Sequence, residues 1–180
     1  RDRDAPTGAA LGWQLASGSS SDGHHIVAPE PQGIQASRAI NDALRRADIH
    51  PADLCAVQAH ATGTSLGDLA EARALHRSLR TVADSLPVYA PKGQLGHLLG
   101  AAGSVEAILG LQALSEGILP QSINADPLDP GVDLAVTTSG PVKLQEHQSE
   151  RFMLKNAFGF GGHNISLILA APCNKPEQLA

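Results

Sequence analysis

Aromatic side chains are scarce in this protein: one tryptophan, one tyrosine and three phenylalanines serve 180 residues. Alanine, leucine, isoleucine and valine must therefore supply most of the packing, and such small side chains imply close helix contacts. Clusters of lysine or arginine are missing as well, as is any interleaving of basic with aromatic residues. With a formal charge of -5, the chain offers nothing like a nucleic-acid groove. Two cysteines, Cys55 and Cys173, are too few for a disulfide framework, and neither has the spacing of a zinc site. No apolar run approaches the roughly 20 residues that span a bilayer. The opening RDRDAPTGAA is charged where a secretory leader would be apolar. A cytoplasmic protein in a reducing compartment is expected, with no nucleic-acid or membrane partner and no metal.

What is present is a globular balance, 42% hydrophobic and 17% charged, over a length suited to one domain. ALGWQLAS, residues 10–17, reads as a strand with almost no lead-in, as in a fragment of a longer chain. A Gly/Ser/Pro-rich loop follows to residue 33 and carries His24 and His25. Residues 34–47 place Ile40, Ala43, Leu44 and Ala47 on one face of an amphipathic helix. LCAVQAH predicts a strand over 54–60 that stops on His60. Ser65 precedes a second helix with a stripe of Leu69, Ala72, Leu75 and Leu79. PVYAP is a third short strand, ending at Lys92. The glycine-rich KGQLGHLLGAAG then leads into a helix over 104–117 that is apolar nearly all round and so expected between two layers. GILPQSIN, PVKLQ, RFMLKNAF and HNISLILA read as edge or closing strands. The order predicts an α/β domain with a mixed sheet.

Three loops collect polar and glycine residues after strands: Thr62 and Thr64 behind His60, His97 behind Lys92, and NAFGFGGHN at 156–164. If the strands run parallel, these loops share one edge, where open α/β sheets bind ligands. Plainer readings stand beside this one. Thr62 and Thr64 could cap a helix, Lys92 and Glu106 could be an ordinary buried ion pair, and GFGG could be a tight turn. His76 and His147 are read as structural.

HATGTSLGDLAEA, KGQLGHLLGAAGSVEA and NAFGFGGHNISLIL, in this order, resemble the C-terminal half of the β-ketoacyl-acyl carrier protein synthases, the condensing enzymes of fatty acid and polyketide synthesis. The resemblance implies a thiolase-like fold in which two α/β halves build an αβαβα five-layer sandwich. Residues 1–32 would then close the first half and connect the two, 33–171 would be the C-terminal domain, and 172–180 a tail. It implies decarboxylative condensation of an acyl thioester with malonyl-acyl carrier protein. No cofactor is required, since phosphopantetheine arrives on the carrier protein. His60 and His97 resemble the catalytic histidines, Lys92 the adjacent lysine and Glu106 its carboxylate partner. Phe160 would give a backbone N–H to an oxyanion hole. Thr62, Thr64, Phe158 and, at the entrance, His25 would meet substrate, with Asp68 and Glu71 supporting the loops.

Ala61 stands where the family commonly has glycine, and Gly93 where it has serine. The family nucleophile is a cysteine in the first half, and neither Cys55 nor Cys173 is placed to replace it. The resemblance implies a homodimer or a ketosynthase heterodimer. An alternative is a noncatalytic partner subunit similar to chain-length factors, although such a subunit has little need of His60, His97 and Lys92 together.

Overall fold

The computed structural model describes residues 10–145 and 149–173. His147 and most of the tail expected at 172–180 lie outside the described residues.

The chain forms β1 (Trp13–Ser21), α1 (Ile34–Ala47), β2 (Leu54–Gln58), α2 (Ser65–Leu79), β3 (Val88–Tyr89), α3 (Lys92–Leu95), α4 (Ala102–Glu116), β4 (Ile118–Leu119), β5 (Val142–Lys143), β6 (Glu150–Gly159) and β7 (His163–Pro172). Five strands make one mixed sheet in the order β1-β7-β6-β2-β3, and β4 and β5 make a separate ribbon. β2 runs parallel to both β3 and β6, while β7 is antiparallel to its neighbours β6 and β1. It follows that β1, β6, β2 and β3 all point the same way, so the loops after these strands open on one edge. The convergence expected at the strand ends is therefore present.

Both faces of the sheet are covered. On one, the alanine-rich stripes of α1 and α2 set Ile40, Ala43, Leu44, Leu75 and Leu79 against Leu54, Val57, Leu154 and Ile168. Leu69, expected in that stripe, is only half buried. On the other face, Ala113 and Leu114 of α4 meet Ala56, Met153 and Leu169. A fully buried leucine such as Leu154 contributes about 2–3 kcal/mol by leaving water.

Several boundaries differ from the sequence reading. β1 runs on to Ser21 through GSSS, residues 18–21, a stretch that composition marks as loop. Edge pairing with β7 from Ser17 to Ser21 holds it extended, and the Ser20 hydroxyl donates to the Gln35 carbonyl at 2.6 Å. Residues 13–21, assigned by the sequence to the end of a preceding half, thus form the edge of this same sheet. β2 stops at Gln58 rather than His60, which frees His60 from the ladder. One helical turn, α3, interrupts the glycine-rich loop. GILPQSIN and PVKLQ contribute only the short β4–β5 ribbon and not the main sheet.

α4 departs most from expectation. One stripe, with Glu106, Gly110, Ala113 and Leu114, packs on the sheet, but Ile108 on the other side is 52% exposed. Within this chain α4 is therefore covered on one face only. Leu98, Leu99 and Ile118 are exposed too. Among the described residues no helix is long and apolar enough to cross a membrane.

Gly18 shows how tightly α1 sits on the sheet, because a Cβ there would lie 2.0 Å from the Ala39 carbonyl oxygen. Gly18→Ala should push α1 off β1 and cost about 1–3 kcal/mol, as overpacking does. A urea unfolding midpoint equal to that of the unsubstituted protein would refute this close approach.

Candidate active site

His60 lies just past the end of β2, and its backbone is held from both faces of the sheet. On the α2 side, the Glu71 carboxylate accepts from His60 N at 2.9 Å and from Ala61 N at 2.8 Å. Glu71 also accepts from Asn156 Nδ2 at 3.0 Å, and the Asn156 amide oxygen accepts from Ser166 Oγ at 2.8 Å. On the α4 side, Lys92 Nζ donates to the His60 carbonyl oxygen and to Glu106 Oε1. Glu106 Oε2 faces Lys155 Nζ at 3.1 Å, an ion pair rather than an aligned hydrogen bond. Glu71, Lys92, Glu106 and Lys155 are all buried. Buried charges persist only when partnered: Glu106 pairs with both lysines, while Glu71 is held by two backbone N–H groups and the Asn156 amide.

The clamp also holds a strained residue. Ala61 has φ 38, in the left-handed region that costs a side chain some energy. Glycine would adopt this conformation freely, which gives a physical reason for glycine being common at that position. Gly93 answers a different need: a Cβ there would sit 2.0 Å from the Ile123 carbonyl oxygen, so the serine typical of the family would not fit without movement.

The imidazoles of His60 and His97 meet edge to face, with centroids 5.8 Å apart and planes at 86°. Phe158, from the end of β6, brings its ring 5.6 Å from His60. Burial, aided by Lys92, Lys155 and His97, pulls the His60 pKa down to about 3, so the ring is neutral at physiological pH. His97 Nδ1 accepts from Leu99 N at 3.2 Å. In the neutral ring this leaves Nε2 as the N–H donor.

Both imidazoles border a cavity of about 460 Å³, with Thr62, Thr64, Phe158 and Phe160 also in its wall. Thr62 Oγ1 and Thr64 Oγ1 are 3.0 Å apart, and Thr64, although at the N-cap position of α2, makes no side-chain capping bond. The helix-cap alternative is thereby set aside for both threonines. A second cavity, about 500 Å³, lies beyond the same loop and reaches Asp68, Lys92 and His97. Burial and the neighbouring Glu71 push the Asp68 carboxyl up to about 6, against backbone hydrogen bonds from Gly63 and Thr62.

Phe160 is 75% exposed at the tip of the β6–β7 turn. That turn is laced to the loop after β1. Asn164 Nδ2 donates to Asp22 Oδ1 at 2.6 Å, and Gly161 N donates to the Ile26 carbonyl at 2.8 Å. His25 is not brought to the cavity wall. Its Nδ1 accepts from Val27 N and Ala28 N, a local turn, and Val27 and Pro29 line the cavity in its place. Cys55 is buried, donates its thiol to the Phe152 carbonyl at 3.1 Å, and has its pKa pushed up to about 12 by burial, the opposite of an activated thiolate. His76 lies 2.9 Å from Asp133 and 3.5 Å from Asp84, away from the cavity, in the structural role expected of it.

Three residues escaped the sequence reading: Lys155, Asn156 and Ser166. The signal was available in MLKNAF, where two adjacent polar residues interrupt an apolar strand directly before the glycine turn. Successive strand residues face opposite sides, so Lys155 and Asn156 reach Glu106 and Glu71 on the two faces.

Residues 11–126 match the family model described as Beta-ketoacyl synthase, C-terminal domain. A 3-oxoacyl-(acyl-carrier-protein) synthase 2 of Mycobacterium bovis is 45% identical over 148 residues, 82% of this chain and 34% of that protein. A mitochondrial 3-oxoacyl-(acyl-carrier-protein) synthase of Arabidopsis thaliana is 39% identical over 156 residues, 86% of this chain and 33% of that protein. Among solved structures, the ishigamide ketosynthase/chain length factor superposes with a TM-score of 0.81 at 30% identity, covering 89% of this chain and 38% of that one. A β-ketoacyl synthase from Burkholderia phymatum gives 0.81 at 28% identity, with the same coverage of 89% and 38%. The chain thus spans about a third of the length of the curated relatives it matches. A thiolase-like mixed α/β sheet, a laced glycine turn and a match over residues 11–126 agree, and the chain belongs to the β-ketoacyl synthase family, of which it carries the C-terminal domain.

Proposed function

We propose that this chain is the C-terminal part of a condensing enzyme that, with an N-terminal half bearing the nucleophilic cysteine, joins an acyl thioester to malonyl-acyl carrier protein. The observation that carries the reading is the pair of imidazoles, His60 and His97, set edge to face on one cavity. Two imidazole rings that border one cavity suit a thioester carbonyl whose oxygen gains negative charge. In the reaction, the malonyl carboxylate leaves as carbon dioxide and its bonding pair passes to the α-carbon as an enolate. The enolate carbon attacks the acyl-cysteine carbonyl, and the thiolate departs. Atoms and electrons balance without a redox group or a metal, so none is required.

His60 and His97 would hold the enolate oxygen, and Lys92 with Glu106 would fix the loop that carries His60. The Thr62 and Thr64 hydroxyls suit the amides and hydroxyl of a phosphopantetheine arm, and Phe158 suits the apolar side of the site. Phe160 on the exposed turn would supply its backbone N–H to acyl transfer. His25, turned into its own loop, is left without a substrate role. Glu71 and Asp68 would act on the loop rather than on substrate. The apolar, half-covered α4 suits packing against the absent half, with acyl carrier protein as partner and a homodimer or heterodimer as the assembly. A chain-length-factor-like role has some support in the likeness to a solved ketosynthase/chain length factor. Retention of both imidazoles and the Lys92–Glu106 pair favours the enzyme.

The complete enzyme containing this chain should release carbon dioxide from malonyl-acyl carrier protein. His97→Ala or His60→Ala should lower that rate by on the order of 100-fold or more, the value of one preorganised donor. Full activity in either variant, or no decarboxylation by the unsubstituted enzyme, would sink the proposal.

The pH dependence follows from His60. An ordinary histidine takes a proton as pH falls through about 6.5, but burial holds His60 neutral down to about 3. The folded state therefore binds fewer protons than the unfolded one between these values. The stabilising contribution is full above pH 6.5 and lost progressively as pH falls towards 3. Imidazole carbon-proton resonances of His60 should stay fixed between pH 8 and pH 5, and a midpoint near 6.5 would contradict this.

A further inference from the structure

We propose that Lys155 is a positioning residue for the condensing reaction, acting through Glu106 and Lys92 on the loop that carries His60. The inference rests on the condensing-enzyme reading and extends it to a residue with no route to substrate.

Lys155 is 1% exposed, on the sheet face opposite Asn156, and borders neither cavity. Its ammonium cannot touch a bound thioester. It does face Glu106 Oε2 at 3.1 Å and donates to the Asn156 carbonyl at 3.1 Å. Glu106 Oε1 in turn accepts from Lys92 Nζ at 2.6 Å, and Lys92 reaches the His60 carbonyl. The chain of contacts is continuous from β6 to the residue just past β2.

Charge accounts for the second lysine. The groups facing Lys155 are Glu106 from α4, Lys92 from α3 and, through the sheet, Glu71 from α2. Lys92 meets one oxygen of Glu106 and leaves Oε2 buried, where Lys155 is the cation that faces it. With Lys155 protonated, both oxygens of Glu106 face an ammonium group, and the Glu71 carboxylate on the other face favours the same charge. Burial lowers the Lys155 pKa and Lys92 adds to that, while Glu106 and Glu71 oppose the loss of its proton. Without Lys155, Glu106 would have Lys92 as its one cationic partner and could rotate, carrying Lys92 away from the His60 carbonyl. Small displacements of a reacting group cost on the order of 100-fold in rate.

The test uses the complete enzyme and malonyl-acyl carrier protein decarboxylation. Lys155→Met keeps the length and removes the charge. It should lower kcat on the order of 10- to 100-fold with KM unchanged, because the phosphopantetheine contacts are untouched. Its effect should not multiply with that of Glu106→Gln, since both break one chain of contacts. Lys155→Gln, which keeps an N–H donor, should recover part of kcat and carries the test if the methionine variant does not fold. Unchanged kcat in a folded variant, a change confined to KM, or losses that multiply would overturn the role of Lys155. An unsubstituted enzyme that does not decarboxylate would overturn the condensing-enzyme reading instead.

Discussion

The site depends on how the backbone around His60 is held. The peptide joining His60 to Ala61 gives its N–H to Glu71 and its carbonyl to Lys92, so helices on opposite faces of the sheet grip one peptide. Each grip is a charged group with its own buried partners, and a charged hydrogen bond in a dry interior is strong only when every member is satisfied. Ala61 keeps its left-handed conformation inside this clamp. The His60 ring is thus carried on a backbone held from both faces of the sheet.

The fold supplies the clamp through simple sheet geometry. β6 lies beside β2, and alternation along β6 turns Lys155 to α4 and Asn156 to α2. The strand then ends in the glycine turn that brings Phe158 to His60 and is tied to the loop after β1. One strand thereby supports the site from below on both faces and borders it from the side. The parallel run of β1, β6, β2 and β3 puts the loops from four strands on one edge, the usual location of function in open α/β sheets. The exposed apolar face of α4 is the other consequence of this architecture, since a domain with a layer open on one side buries less than its composition allows.

Much of this was legible beforehand. Periodicity located α1 and most of the α2 stripe, and the unusual loops pointed to His60, His97, Lys92 and the glycine turn. Resemblance paired Lys92 with Glu106. Errors gathered where tertiary contact outweighs local preference. GSSS, residues 18–21, reads as loop but is an edge strand because β7 pairs with it and α1 packs on it at Gly18. His25 sits in a loop that reaches the cavity, yet its ring is occupied by the turn of that loop. Lys155 passes in sequence for one more charged residue because its importance lies in a carboxylate 49 positions away (155 − 106).

The amino-acid sequence by itself determined the element types and the chemistry available at the ends of the strands, since hydrophobic spacing and residue identity are local properties. Only the tertiary structure decided which of those groups meet. Strand order and direction bring residues 60, 97 and 158 within one cavity, and the same order sets Lys155 and Asn156 against carboxylates on opposite faces. The physical reason is that burial turns a charge from a surface ornament into a group requiring a partner, and burial is a property of the packed sheet rather than of any segment.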